Sequence, residues 1–319
     1  MERNNNHSTV IEIHLIGFPI DGVLGIFLFL LFLVIYIITI IGNVAIMAIT
    51  IVEPRLHTPM YFFLSNFSFM EIWYTSVTIP KMLRDFLVQE KTISISGCIA
   101  QCYFFFLLGA IENYLLAVMA YDRYLAICNP LRYTIIMVPW LCCLLAFGSW
   151  VTCIIYSLLP IFSLSRLSFC GPNQINHFFC DVAPLLNLSC TDTTLLKKYF
   201  FSLTWIIVFS CLLFTIVSYA HILFTILRIS SVSGRQKAFS TCGSHLTVVI
   251  IYYGTVIYMY VRPTGRQALQ SDKVVSVIYS VVTPLLNPII YSLRNKEVKE
   301  SLRKALSRRL VLFRWLERT

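Results

Sequence analysis

The sequence predicts an all-α membrane protein, a seven-transmembrane helix bundle with a short amphipathic helix after the seventh span, and three observations carry that prediction. The 319-residue chain is 58% hydrophobic and only 13% charged, a balance that one water-soluble core cannot hide behind a normally charged surface. The few charges are also spaced. Residues 22–52, 133–165, 199–227, 238–261 and 274–293 contain no Asp, Glu, Lys or Arg, and 56–80 and 92–121 hold one Glu each. Crossing hydrocarbon takes roughly 20 apolar residues at about 1.5 Å each, so all seven are long enough. Finally, an odd number of spans puts the termini on opposite sides. With the N-terminus outside, Arg55, Arg123, Arg132, Arg228, Arg235, Lys237 and every basic residue from Arg294 onward lie inside, the direction of the positive-inside bias.

Residues 1–23 form a short extracellular tail, too small to be an independent binding module. The membrane domain covers 24–292. Its first span, about 24–51, lacks a small-residue cleavage pattern and reads as a retained signal anchor. Within it, Gly42-Asn43 should face other helices, since lipid offers an amide no partner. Pro54 and Pro59 bracket an inner loop before span two (59–80). Span three (94–121) ends at Asp122-Arg123-Tyr124, and span four is 140–160. The 161–197 loop is too polar to span yet contains Phe178-Phe179 and Leu185-Leu186, so it should fold back over the bundle mouth. Spans five, six and seven follow at 198–227, 238–260 and 273–292. In the cytoplasmic tail, 293–319, basic residues from Arg294 to Arg309 interleave with Val298, Leu302, Ala305, Leu306 and Leu310. That is an amphipathic helix on the inner leaflet, drawn to anionic lipid by about 1 kcal/mol per basic residue.

The sequons at Asn6 and Asn187 lie in segments placed outside and are the candidate glycosylation sites; the sequon at Asn66 falls inside a span. Cys98, Cys170, Cys180 and Cys190 cluster near the outer face, and four cysteines allow three pairings.

Glu71 and Glu112 are the acidic residues deep in the spans. Lipid exposure would be costly, so both should point inward to a polar centre with Asn43, joined by Ser68, Asn113 and Asn287. Such a centre could hold a sodium ion or a proton at Glu71 and Glu112; a structural hydrogen-bond cluster would use the same residues. Asp122-Arg123-Tyr124 could be a snorkelling charge. Its pairing with Asn287-Pro288-Ile289-Ile290-Tyr291 at the inner end of span seven points instead to a switch, because Pro288 and Pro284 remove helix hydrogen bonds where a bend is needed.

Pocket material lies in the outer halves of the spans: Phe105, Phe106, Gly109 and Ala110 on three, Leu203, Thr204 and Ile207 on five, Tyr253, Val256 and Tyr260 on six, and Ser280 on seven, with Phe104, Tyr252 and Ile257 as further aromatic or apolar neighbours. A cavity of this kind selects small, mostly apolar molecules by shape and orients them with a hydrogen bond. The same residue types also serve ordinary helix packing. No acidic residue in the outer half of the spans offers a counter-ion to an amine. No metalloenzyme spacing and no Gly-x-Ser-x-Gly is present, so neither an enzyme nor a cofactor is expected, and no nucleic acid partner. A channel or transporter is the rival class; the absence of internal repeats counts against it.

Four stretches are family-specific: Leu56 to Ser65 (LHTPMYFFLS), Met119 to Tyr133 (MAYDRYLAICNPLRY), Lys237 to Leu246 (KAFSTCGSHL) and Pro284 to Asn295 (PLLNPIIYSLRN). On these residues the chain resembles an odorant (olfactory) receptor of the tetrapod class II type, within the rhodopsin-like (class A) G-protein-coupled receptors, from Gly42 to Leu306. The resemblance implies disulfides Cys98–Cys180 and Cys170–Cys190, the second closing a loop worth about 3 kcal/mol by chain entropy. It implies a volatile odorant bound between spans three, five and six, and a plasma-membrane protein that couples to a stimulatory, olfactory-type heterotrimeric G protein and raises cyclic AMP. Asp122, Arg123, Tyr124, Tyr219, Asn287, Pro288 and Tyr291 would form the coupling switch. Tyr253 stands at the tyrosine of the family's Phe-Tyr-Gly, with Tyr252 replacing the phenylalanine, and Glu71 stands where most relatives carry Asp.

Overall fold

The computed structural model describes residues 12–18, 22–170, 173–261, 268–294, 298–301 and 303. Its long helices are α1 (Val23–Val52), α2 (Pro59–Leu87), α3 (Ile95–Cys128), α5 (Pro139–Ser165), α7 (Thr194–Arg228) and α8 (Val232–Val261). The last crossing is composite: α9 (Ala268–Val277), a π-helical turn (Ile278–Val282) and α10 (Thr283–Arg294). Shorter helical pieces among the described residues include a 3-10 turn (Pro54–Leu56) in the first inner loop, α4 (Pro130–Ile136) in the second and α6 (Val182–Leu186) in the outer loop. By length and composition alone, α1, α3, α5, α7 and Lys273–Tyr291 can each cross a membrane. The 29-residue α2 and 30-residue α8 are as long but more polar, the apolar part of α8 being Cys242–Tyr258.

Every long helix outruns the span that the sequence predicts for it. Backbone hydrogen bonds continue into water as readily as in lipid, so α3 runs past residue 121 to Cys128 and carries Asp122-Arg123-Tyr124 inside the helix. For the same reason α5 and α7 extend into the outer loop, which spans 166–193 rather than 161–197. Starts are set locally. Pro59, Pro130 and Pro139 occupy first helical positions, where a missing N–H costs nothing, and the Ser94 hydroxyl accepts from Gly97 N at 3.1 Å to cap α3.

α3 is the hub, packed on α2, α5 and α7, while α1 lies against α2 and α10. The main core joins Phe63, Leu64, Phe67 and Met70 of α2 to Ile111, Leu115 and Leu116 of α3, and to Val248 and Tyr291 of the later helices. α1 approaches α10 closely: a methyl group built on Gly42 would sit 3.0 Å from Cβ of Pro288. The outward faces of α1, α5 and α7 expose Phe27, Ile41, Phe147, Leu159, Ile206 and Leu213, as lipid contact requires.

The outer end is capped by a small sheet. Strand β1 (Glu12–Leu15) of the N-terminal tail pairs antiparallel with β2 (Thr92–Ser94) and parallel with β3 (Gln174–Ile175). Its alternation buries Ile13 and Leu15 against Cys98, Ile175, Leu185 and Phe200. Both disulfides lie in this layer, Cys98–Cys180 with Cα atoms 5.4 Å apart and Cys170–Cys190 at 5.5 Å. The tail is thus woven into the mouth. Lys273 strengthens the weave, donating to the Gly17 carbonyl and to Asn176 Oδ1 at 2.6 Å.

His177 belongs to the same cap. Its Nδ1 accepts from Phe179 N at 3.4 Å, which leaves Nε2 to donate to Ser276 Oγ at 3.2 Å. Burial, and then the Lys273 charge, push its pKa down from 6.5 to about 4. The folded cap therefore holds the ring neutral, and its stability falls as pH drops from 6.5 toward 4, by up to about 3 kcal/mol. Melting curves of the purified protein across that window should show the loss, and His177→Asn should flatten it; an equal acid sensitivity in the variant would refute the assignment.

At the inner end, the helical residues 298–301 bury Val298 in the main core and leave Lys299 and Glu300 exposed. This is the start of the amphipathic helix. Most of the 293–319 tail, and Asn6, lie outside the described residues. Asn187 is exposed on the outer loop, where its Oδ1 accepts from Lys197 Nζ at 2.8 Å.

Candidate functional site

Beneath the cap lies a cavity of about 190 Å³. Its walls are α3 (Cys102, Phe105, Phe106, Gly109, Ala110, Asn113), α7 (Thr204, Ile207, Val208), α8 (Tyr252, Val256), Tyr74 of α2, Tyr279 of the π turn, and Asp181 and Val182 of the outer loop. A clamp holds the roof. Cys180 N donates to Gln101 Oε1 at 2.9 Å, Gln101 Nε2 donates to the Val77 carbonyl at 2.9 Å, and the Cys102 thiol donates to the Cys180 carbonyl at 3.2 Å. With the Cys98–Cys180 disulfide, these bonds tie α2, α3 and the loop into one piece. Phe105 anchors the aromatic wall, its ring 5.0 Å from Tyr74, 4.6 Å from Phe179 and 5.7 Å from Tyr279.

Of the pocket residues expected from sequence, Phe105, Phe106, Gly109, Ala110, Thr204, Ile207 and Val256 line this cavity. Leu203, Tyr253 and Ser280 do not. Leu203 and Tyr253 are buried in the main core, and Ser280 turns into its own helix, donating to the Ser276 carbonyl. The Tyr260 side chain lies outside the described residues, and Phe104 is 42% exposed on the outer face of α3. Asp181 places a carboxyl on the wall from the loop, so the cavity is not without an acidic group. Burial raises the pKa of that carboxyl, while the bond from Val182 N opposes the rise. Tyr74, Cys102, Val208 and Tyr279 went unread because no polarity stripe marks the inward face of an all-apolar helix.

Below the cavity, Asn287 Nδ2 donates to Glu71 Oε1 at 2.5 Å, joining α10 to α2. The other oxygen, Glu71 Oε2, is buried without a partner. That orphan fits a cation or a proton. Asn43 does not complete the pair, since its amide donates to Thr39 O of its own helix at 3.0 Å, and Glu112 is buried with no side-chain hydrogen bond among the described residues. Among those residues no group of three or more His, Cys, Asp or Glu could hold a metal.

At the inner end, Arg123 donates through Nε and Nη2 to Asp122 Oδ2, the Nε contact at 3.0 Å, and Tyr133 donates to Asp122 Oδ1 at 2.7 Å. Asp122 is fully buried and Arg123 is 7% exposed. The pair is a closed latch, with Tyr133 of α4 as its third member. Tyr219 and His245 Nδ1 are 2.6 Å apart, bridging α7 and α8. Tyr124 packs edge-on to His221 at 5.9 Å, and Tyr291 packs against Phe67 at 6.4 Å. Pro288 lies inside α10, beside Asn287.

A cavity under a disulfide-tied roof, a buried carboxyl–amide centre and an inner Asp-Arg latch, stacked along one bundle, define a rhodopsin-like receptor. A family model described as olfactory receptor matches residues 32–309. Olfactory receptor 6F1 of Homo sapiens is 53% identical over 290 residues, covering 91% of this chain and 94% of its own length. Olfactory receptor 226 of Rattus norvegicus is 50% identical over 310 residues, 96% of this chain and 95% of its own. The chain belongs to the olfactory receptor family.

Proposed function

We propose that the protein is a plasma-membrane receptor that binds small, mostly apolar volatile molecules in the Phe105–Tyr252 cavity and activates a stimulatory, olfactory-type G protein, raising cyclic AMP. The observation that carries this reading is the vertical arrangement: a small, largely aromatic cavity opens above the Glu71–Asn287 centre and the Asp122–Arg123 latch, with α3 and the α9–α10 crossing passing through all levels. A ligand that prefers the bundle with its inner end open shifts the population toward it, and G protein binding to that same state makes the two events mutually supporting. Equal affinity for both states would shift nothing. Arg123, released from Asp122, is the group offered to the G protein. The Glu71 carboxyl, neutralised by sodium or a proton, sets how readily α10 moves.

The test is a cyclic-AMP screen of cells displaying the full chain, across odorant classes, repeated with Arg123→Ala. Responses to at least one class that vanish in the variant at equal surface expression are expected. Evoked signals of undiminished size in Arg123→Ala would refute the coupling role.

A further inference from the structure

Among the residues that line the cavity, one fully buried polar atom is left unused by the protein. Asn113 is 3% exposed and lies on the α3 wall. Its amide nitrogen donates to the Gly109 carbonyl at 2.8 Å and to the Tyr252 hydroxyl oxygen at 2.7 Å, while the Tyr252 hydroxyl donates back to the Gly109 carbonyl at 3.3 Å. A carbonyl oxygen can only accept, so the nitrogen faces Gly109 and the orientation of the amide is fixed by its surroundings. Oδ1 is then a buried acceptor without a partner, a costly arrangement until a donor arrives.

The other polar groups of the wall sharpen the demand. The Thr204 hydroxyl donates to the Phe200 carbonyl at 2.8 Å, and the Cys102 thiol is spent on Cys180. Asp181 Oδ1 accepts from Val182 N at 2.7 Å. The Tyr74 hydroxyl both gives and takes and so favours no class. No Lys, Arg or His lines the cavity, which leaves a carboxylate or phosphate without a counter-charge. A ligand with only acceptors, such as an aldehyde, ketone or ether, would bury Asn113 Oδ1 unpaired. An ammonium would find a counter-charge only at Asp181, whose ionised form burial disfavours, and would meet a neutral acceptor at Asn113.

We infer that the preferred ligand class is small neutral alcohols whose hydroxyl donates to Asn113 Oδ1 while the hydrocarbon body packs against Phe105, Phe106 and Val256. This rests on the odorant-receptor reading above. An apolar cavity of about 150 Å³ takes up benzene, so the volume of about 190 Å³ here suits one ring with a short hydroxyalkyl arm. The contact also couples to the bundle, because the amide that meets the ligand is the one that ties α3 to α8 through Tyr252.

The experiment uses the full chain in cells with a cyclic-AMP readout and a matched set: phenylethyl alcohol, phenylacetaldehyde, phenylethyl methyl ether, phenylethylamine and phenylacetic acid, beside a broad panel of other odorant classes. The alcohol should be the most potent, by about ten-fold or more over the aldehyde and ether, and Asn113→Leu should erase that preference. Where the variant fails to reach the surface, the wild-type ranking decides. Equal potency of aldehyde or ether, a best response to the amine or acid, or an alcohol preference that survives Asn113→Leu overturns the inference. A response to the broad panel without one to alcohols overturns it alone; silence toward every class from surface-displayed protein overturns it together with the receptor reading.

Discussion

Asp122→Asn should produce a receptor that signals without odorant. In the closed latch the fully buried Asp122 carboxylate accepts two N–H groups of Arg123 on one oxygen and the Tyr133 hydroxyl on the other. The amide keeps the size but removes the charge, and it presents either one neutral acceptor or an opposing N–H₂ to a guanidinium that is only 7% exposed. Breaking a buried ion pair from one side costs about 3–5 kcal/mol. That cost falls on the closed state, where Arg123 pairs with no other carboxylate among the described residues, and much less on an open state in which Arg123 meets solvent or the G protein. Even about 1.4 kcal/mol of differential shifts the closed-to-open ratio ten-fold. Basal cyclic AMP at matched surface density should therefore rise several-fold over wild type, and the rise should disappear in the Asp122→Asn, Arg123→Ala double variant. Basal signalling equal to wild type would show that the pair is not what holds the bundle closed.

Cys98→Ser is expected to abolish surface display altogether. The Cys98–Cys180 bond closes a loop of sequence separation 82, for which chain entropy gives about 4.5 kcal/mol, a large share of the stability of an ordinary domain. The local consequences add to it. Without the bond, the Cys180 contacts with Gln101 and Cys102 must hold the roof of the cavity alone, and β3 loses its anchor beside α3. Cys170→Ser opens a loop of separation 20 and should cost about 3 kcal/mol, so some protein should survive. Flow cytometry of an N-terminal epitope reports both. Wild-type display of Cys98→Ser would mean that the hydrogen-bond clamp suffices.

Much of this molecule is legible in its amino-acid sequence, and the boundary of legibility has a physical cause. Charge-free runs locate the crossings because a buried charge is dear in hydrocarbon, yet some stop short of the helix ends, as Leu87 and Cys128 illustrate. The disulfide partners came from family likeness rather than spacing. The rotational setting of each helix is what the sequence encodes least visibly. Tyr252 and Tyr253 are adjacent and chemically alike, yet Tyr252 faces the cavity while Tyr253 is buried in the core. Leu203 and Thr204 divide the same way. In a soluble helix the polar face would decide between neighbours; here lipid and protein are equally apolar, and nothing in the string does. The loop residue Asp181, the N-terminal strand and the π turn depend on long-range packing and leave no local mark.

The π turn bears on how the last crossing is geared. The Thr283 amide bonds the Ile278 carbonyl, one residue farther back than an α-helix allows, and one residue corresponds to about 100° of rotation. The stretch bearing Tyr279 is thereby set out of phase with the stretch bearing Asn287. Deleting a single residue between Ile278 and Val282 would mesh the two halves into one straight rod, at the expense of either the aromatic wall or the grip on Glu71. Held apart by that slipped tooth, the outer half can be retuned to new chemistry without dislodging the inner half from its seat.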